Sequence, residues 1–189
     1  MSVRLTSDPS ERIWKIEKIV LMMRFFWRFP RLKGAWLIYD YIKPRLADLA
    51  PATVVDIGVN HGQFLHLASR LWPGADIIGI EPNAALAEKA NTFYLGNPKI
   101  RVESCAVGAE SGNIDLFMTK NDPNRSIHEP TAAFQDDRAA DGVVRTEPVA
   151  LRRLDGLLDG INGPMLMKID VQGAELEVLR GTGDGLDDV

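Results

Sequence analysis

Residues 54–62 read Val-Val-Asp-Ile-Gly-Val-Asn-His-Gly, and this stretch restricts the fold more than any other. A β-branched run ends in a glycine, a second glycine follows four positions later, and an apolar helical pattern begins at once with Phe64, Leu65, Leu67, Ala68 and Leu71. That is the signature of a buried strand at 53–57 turning into a helix at 62–71. The pattern then repeats. Residues 76–80 predict a second strand, and 82–95 a second helix with Pro82 in its first turn. Residues 100–107 predict a third strand, 113–118 a fourth and 165–169 a last one. A helix over 173–179 follows, with Gly181 at its end. Repeated strand–helix–strand units predict an α/β domain with a parallel sheet covered by helices.

The chemistry is expected at the C-terminal ends of these strands, where open α/β sheets bind ligands. Asp56 stands near the end of the first strand. Glycines at 58 and 62 allow a tight turn and a close approach of a ligand to the chain. A carboxylate at that place suits a cationic ligand, such as the ammonium and sulfonium of S-adenosylmethionine. The spacing is neither Gly-x-Gly-x-x-Gly, since Asn60 and Gln63 interrupt it, nor that of a phosphate-cradling loop. Glu81 ends the second strand 19 positions after Gly62. An acid placed so can accept both hydroxyls of a ribose. A plainer reading makes Glu81 a neighbour of a helix start, held by the helix dipole. The small residues Cys105 and Ala106 near the third strand's end would admit a flat base, and Cys105 reads as a small buried hydrophobe rather than a nucleophile.

A third acidic cluster lies in Leu166-Met167-Lys168-Ile169-Asp170-Val171-Gln172-Gly173-Ala174-Glu175. Lys168 and Asp170 are two apart on a strand and share a face. Asp170 is the candidate catalytic residue, able to orient or deprotonate a substrate hydroxyl, with a helix cap as its plainer reading. Glu175 follows as a candidate substrate contact or a helix-dipole partner. His61, His66 and His128 are scattered and there is a single cysteine, so no zinc site is expected. Ser69, Ser104 and Ser126 lack a Gly-x-Ser-x-Gly elbow.

Residues 54–64 and Ile80-Glu81-Pro82-Asn83 resemble the FkbM family of S-adenosylmethionine-dependent methyltransferases. So do Ala106-Val107-Gly108, Leu154-Asp155-Gly156-Leu157 and the run from Leu166 to Gly181. The resemblance covers about residues 52–181, and the last motif is its most specific part. It implies a Rossmann-like sheet with helices on both faces and methyl transfer to oxygen, commonly a hydroxyl of a sugar or secondary metabolite. By that likeness Asp56, Gly58, Asn60, Gly62 and Glu81 fall on cofactor positions, and Asp170 falls beside the transferred methyl; His61, Pro82, Cys105 and Ala106 are further candidates to bind the cofactor. Position 172, often Glu in the family, is Gln here and is given no ionisable role. Chains of this family run well past the Lys-Ile-Asp motif, so further C-terminal strands are expected to be missing. Two rival readings follow: a methyltransferase-like fold acting as an interaction module, and a nicotinamide-dependent oxidoreductase, which the absence of Gly-x-Gly-x-x-Gly disfavours.

Charge divides the 189-residue chain. Residues 1–50 carry ten Lys/Arg against five Asp/Glu, a net of +5, and residues 51–189 carry twelve against twenty-one, a net of -9. An acidic body gives no basic face for nucleic acid. The expected organisation is a basic helical leader over 1–50 and a cofactor-binding domain over 51–189. In the leader, a helix over 10–29 reads as packing on the domain or on a second subunit, with membrane-surface contact as the alternative. A second helix is expected over 35–49. No signal or membrane span is evident, and a cytoplasmic location is expected. Residues 119–147 are polar and aperiodic and predict a long functional loop, from which Asn124, Ser126 and His128 are candidate substrate contacts.

Overall fold

A computed structural model of the chain describes residues 44–46, 48–119, 143–161 and 163–183. The chain divides into two units after Pro44, and the elements below belong to the unit that begins at Arg45. The helix expected over 10–29, most of that over 35–49, and residues 120–142 lie outside the described residues. In chain order the elements are β1 (Thr53–Ile57), α1 (Gln63–Leu71), β2 (Asp76–Ile80), α2 (Ala84–Phe93), β3 (Ile100–Glu103), β4 (Ala106–Val107), β5 (Gly112–Thr119), β6 (Val143–Arg152), α3 (Leu154–Leu158), β7 (Met165–Ile169) and α4 (Glu175–Arg180).

Four strands form a parallel sheet in the order β3-β2-β1-β7. The fold is Rossmann-like α/β, as expected. Strand β1 is flanked on both sides and every one of its five residues is buried, which is why it reads as an unbroken apolar run rather than an alternating one. Its alternate residues feed two cores. Val54, Ile77, Ile100 and Val102 pack with Leu65, Ala68 and Ala87 beneath α1 and α2. Val55, Ile57, Ile78, Ile80 and Met165 pack with Leu154, Leu157 and Val178 of α3 and α4. Burial of each such side chain is worth about 1.5–3 kcal/mol over leaving it in water, so both faces contribute. The sheet order reverses between β1 and β7, and the crevice outside the carboxyl ends at such a switch point is where these folds take ligands.

The third expected strand is really two. Residues 100–103 join the main sheet, whereas Ala106 and Val107 pair with Leu151 and Arg152 of β6 in a second sheet of order β4-β6-β5. The run Ile-Arg-Val-Glu-Ser-Cys-Ala-Val contains no Gly or Pro, so nothing in it marks the break. The fourth expected strand is also reassigned. It is β5, running antiparallel to β6 from Gly112↔Leu151 to Thr119↔Val143. Pro148 lies within β6 opposite Asp115, at a register where β4 does not reach, so its missing N–H falls where the strand is paired on one side only. The segment read as a loop over 119–147 thus begins and ends in strand.

Gly181 ends α4, but not in the left-handed conformation a helix-terminal glycine commonly adopts: its φ is -76°. A Cβ there would stand 2.2 Å from the Gly108 carbonyl oxygen, so close packing against the start of the second sheet requires the glycine. Among the described residues no helix is long and apolar enough to cross a membrane.

Candidate functional site

The turn after β1 is built by left-handed residues: Gly58 has φ +81°, Asn60 +50° and Gly62 +84°. Gly62 caps α1 without a side-chain bond, and its N–H donates to the Val59 carbonyl at 2.8 Å. Backbone bonds tie the strand ends together. Gly58 N–H donates to the Ile80 carbonyl at 2.9 Å, Asp170 N–H to the Ile57 carbonyl at 3.0 Å, and Glu81 N–H to the Glu103 carbonyl at 3.0 Å. Gly58 is required by protein packing. A Cβ on it would lie 2.1 Å from the Asp170 carbonyl oxygen, so the turns after β1 and β7 meet at this residue.

Glu81 is buried, 5 % exposed, and its carboxylate is clamped. Oε2 accepts the Asn60 N–H at 2.7 Å and Oε1 accepts the Asn83 N–H at 2.9 Å. Asn83 in turn caps α2, its side chain accepting the Leu86 N–H at 3.0 Å. The carboxylate lines a polar hollow with Gly58, Asn60, Pro82, Asp170, Val171 and Gln172. An apolar hollow adjoins it through the shared Gly58, Pro82 and Val171, and Ile57, Ile80, Cys105, Ala106, Val107 and Ala174 complete its wall. Burial pushes the Cys105 thiol above its ordinary pKa, against the opposing pull of Arg152, so it stays a neutral apolar wall residue.

Asp56 does not reach either hollow. It is fully buried within β1, between Gly79 and Lys168 in register. Its Oδ1 lies 3.0 Å from the Lys168 ammonium as an ion pair, and neither carboxylate oxygen has a hydrogen bond of good geometry among the described residues. The direct pairing with a ligand ammonium expected from sequence is taken by an internal lysine. Burial raises the Asp56 carboxyl to about 6, with Lys168 opposing that rise and Asp170 and Glu81 adding to it. Lys168 Nζ also donates to the Gly58 carbonyl at 2.8 Å and lies 3.6 Å from Asp170 Oδ2. Sequence reading placed Lys168 on the face of Asp170 but gave it no role. The missing information was strand order, since only the β1–β7 pairing sets Lys168 opposite Asp56.

Of the remaining candidates, Asp170 lines the polar hollow with its side chain 61 % exposed. His61 lies in the turn before α1 and lines neither hollow. Glu175 turns its carboxylate to the Gly173 N–H, at 3.1 and 3.2 Å. Bonds from backbone N–H groups, including its own, hold it below the usual carboxylate range. Asn124, Ser126 and His128 lie outside the described residues. Gln172, with φ +59°, and Val171 line the polar hollow although their side-chain chemistry did not single them out. Among the described residues no group of three His, Cys, Asp or Glu side chains is placed to hold a metal.

Residues 56–189, which include the whole of this arrangement, match the family model of the methyltransferase FkbM domain. The chain belongs to the FkbM methyltransferase family. The chain is 27 % identical over 157 residues to the methyltransferase sdnD of Sordaria araneosa, covering 69 % of this chain and 60 % of that protein. It is also 27 % identical over 155 residues to methyltransferase 1 of Beauveria bassiana, covering 72 % and 62 %. The chain therefore spans about three fifths of the length of these curated relatives. A solved structure of the plantazolicin methyltransferase BpumL in complex with SAH aligns with 53 % of the chain and 36 % of its own length, at 24 % identity and a TM-score of 0.29.

Proposed function

We propose that the FkbM domain binds S-adenosylmethionine and transfers its methyl group to a hydroxyl of a small molecule, a sugar or secondary metabolite, glycans included. The domain is taken to span residues 51–189, behind a basic leader over 1–50. The clamped carboxylate of Glu81 carries the reading. Two backbone N–H groups fix it at the rim of the polar hollow, and an acid at the end of the second strand is placed to accept the vicinal hydroxyls of a ribose. The neighbouring hollow has the apolar walls and small side chains that a purine needs. An adenosyl ligand combines both demands, so the residues present fit this cofactor.

In this reading Glu81 holds the ribose, while Pro82, Cys105 and Ala106 flank the base. Gly58, Asn60 and Asp170, which line the polar hollow, meet the amino-acid end. The bound cofactor supplies an electrophilic methyl on a sulfonium sulfur. The protein's part is alignment and exclusion of water. Asp170 is the candidate to orient the acceptor hydroxyl and take up its proton, and Asn124, Ser126 and His128 remain proposed acceptor contacts.

Calorimetric titration with S-adenosylhomocysteine and, separately, with NAD tests the assignment. S-adenosylhomocysteine is expected to bind and NAD not. Glu81→Ala should weaken binding about 10- to 100-fold, the range for losing hydrogen bonds to a charged group. Binding of NAD alone would reject the reading in favour of an oxidoreductase. Binding of neither ligand would favour an interaction module.

A further inference from the structure

Lys168 joins three groups that lie far apart in the chain. Its Nζ reaches the Asp56 carboxylate at 3.0 Å, the Gly58 carbonyl at 2.8 Å and the Asp170 carboxylate at 3.6 Å. The ammonium donates a hydrogen bond to the Gly58 carbonyl and pairs as an ion with both carboxylates. These carboxylates are unequal. Asp170 is 61 % exposed and well hydrated, whereas the Asp56 side chain is 0 % exposed. An exposed ion pair gains little, but a buried carboxylate deprived of its cation is strongly disfavoured. The buried partner therefore decides where the ammonium sits. The same ammonium then grips Gly58, the residue from which the left-handed turn starts and which lines both hollows.

We infer that Lys168 is a positioning residue: by binding the Asp56 carboxylate and the Gly58 carbonyl together, it holds the turn over residues 58–62 in the shape that receives the ligand. The identity of that ligand rests on the S-adenosylmethionine reading above; the effect on the turn does not. The charged and titratable groups around Asp56 are Lys168 and Asp170 from β7 and its end, and Glu81 from the end of β2. Tyr94 after α2 adds its hydroxyl, bonded to His66 of α1. Tyr94 stays neutral, since burial drives its pKa far upward. Burial pushes the Asp56 carboxyl up to about 6. Below that pH a protonated Asp56 leaves the ammonium without its buried anion, and the hold on Gly58 slackens. Ligand affinity should fall as the pH drops through this value and level off above it.

The test measures S-adenosylhomocysteine affinity from pH 5 to 8.5 for the full chain and three variants. It also follows the Asp56 carboxyl carbon and the amides of residues 58–62 by NMR in the ligand-free protein. Removing the cation deletes the influence that lowers the Asp56 pKa. Lys168→Met is therefore expected to move the acid limb up by about one pH unit or more and to weaken binding about tenfold at pH 7. Lys168→Arg should return the limb toward its wild-type position, and Asp56→Asn should abolish it. A side chain that merely supports the fold would change stability and leave the limb in place. Wild-type affinity and an unmoved limb in Lys168→Met overturn the inference. If Lys168→Met does not fold, Asp56→Asn decides: loss of the limb supports the inference and its persistence overturns it. If the wild-type chain binds no S-adenosylhomocysteine at any pH, the proposed function fails by itself. The ligand-free spectra of Lys168→Met, or of Asp56→Asn if that variant alone folds, then decide. Shifted amides at 58–62 support the inference and unshifted ones overturn it.

Discussion

At the scale of single residues, Asp56 shows a site residue working against the stability of its own fold. Its carboxyl titrates at about 6 in the folded chain, against an ordinary 3.8, because burial outweighs the attraction of Lys168. Between pH 4 and 6 the folded state keeps a proton that the unfolded chain has released. Stability therefore falls as the pH rises through that window and stays lower above it. The displacement corresponds to about 3 kcal/mol. Asn at this position is neutral, and Lys168, a quarter exposed, can turn to Asp170 or water. Asp56→Asn should accordingly unfold at higher urea than wild type at pH 7.5, by about 1–2 kcal/mol, with the difference vanishing near pH 4. An equal or lower urea midpoint at pH 7.5 would show that the buried pair is net stabilising. The acids of the site were legible in the sequence because a carboxylate at a strand end is rare without a purpose. Their partners were not. Asp56 looked available to a ligand, and only the β1–β7 register reveals that a lysine 112 positions later has already taken it.

At the scale of elements, strand–glycine–helix patterning gave β1, β2, α1 and α2 to within a few residues, since each is apolar at its own period and punctuated by Gly, Pro or Asn. The edge of the sheet was invisible to such reading. Strand β3 lies at the margin, and the side chain of Asn91 on α2 treats it as a further strand would. Its amide nitrogen donates to the Val102 carbonyl at 2.8 Å, and its oxygen accepts the Val102 N–H at 2.8 Å. Nothing about an isolated Asn in an otherwise ordinary helix announces that contact. Asn91→Leu keeps the branched shape and removes both bonds, which should cost about 1–3 kcal/mol. Chemical denaturation measures the loss, and hydrogen exchange should locate it at Val102. A loss confined to the helix would show that the two bonds contribute nothing to the strand.

At the scale of the whole molecule, the two sheets are unequally rooted. In the main sheet β1 is wholly buried. Along the described side chains of β5 and β6, by contrast, only Leu116 is buried. Opening free energies follow burial and contact density. Amides of β1 and β2 should therefore exchange with deuterium only through global unfolding, and those midway along β5 and β6 orders of magnitude sooner. Uniform protection across both sheets would contradict this. The contact between Lys168 and Gly58 spans 110 positions, and that separation bears on how the molecule is made. As the chain leaves the ribosome, β1 must wait for more than a hundred further residues before its second neighbour exists. Through that interval an apolar strand edge and an uncompensated acid lie open to solvent or to a chaperone. Pairings of such long range form late and are the ones most exposed to aggregation. Synthesis halted before residue 168 would yield a chain lacking both its central closure and any means of neutralising Asp56.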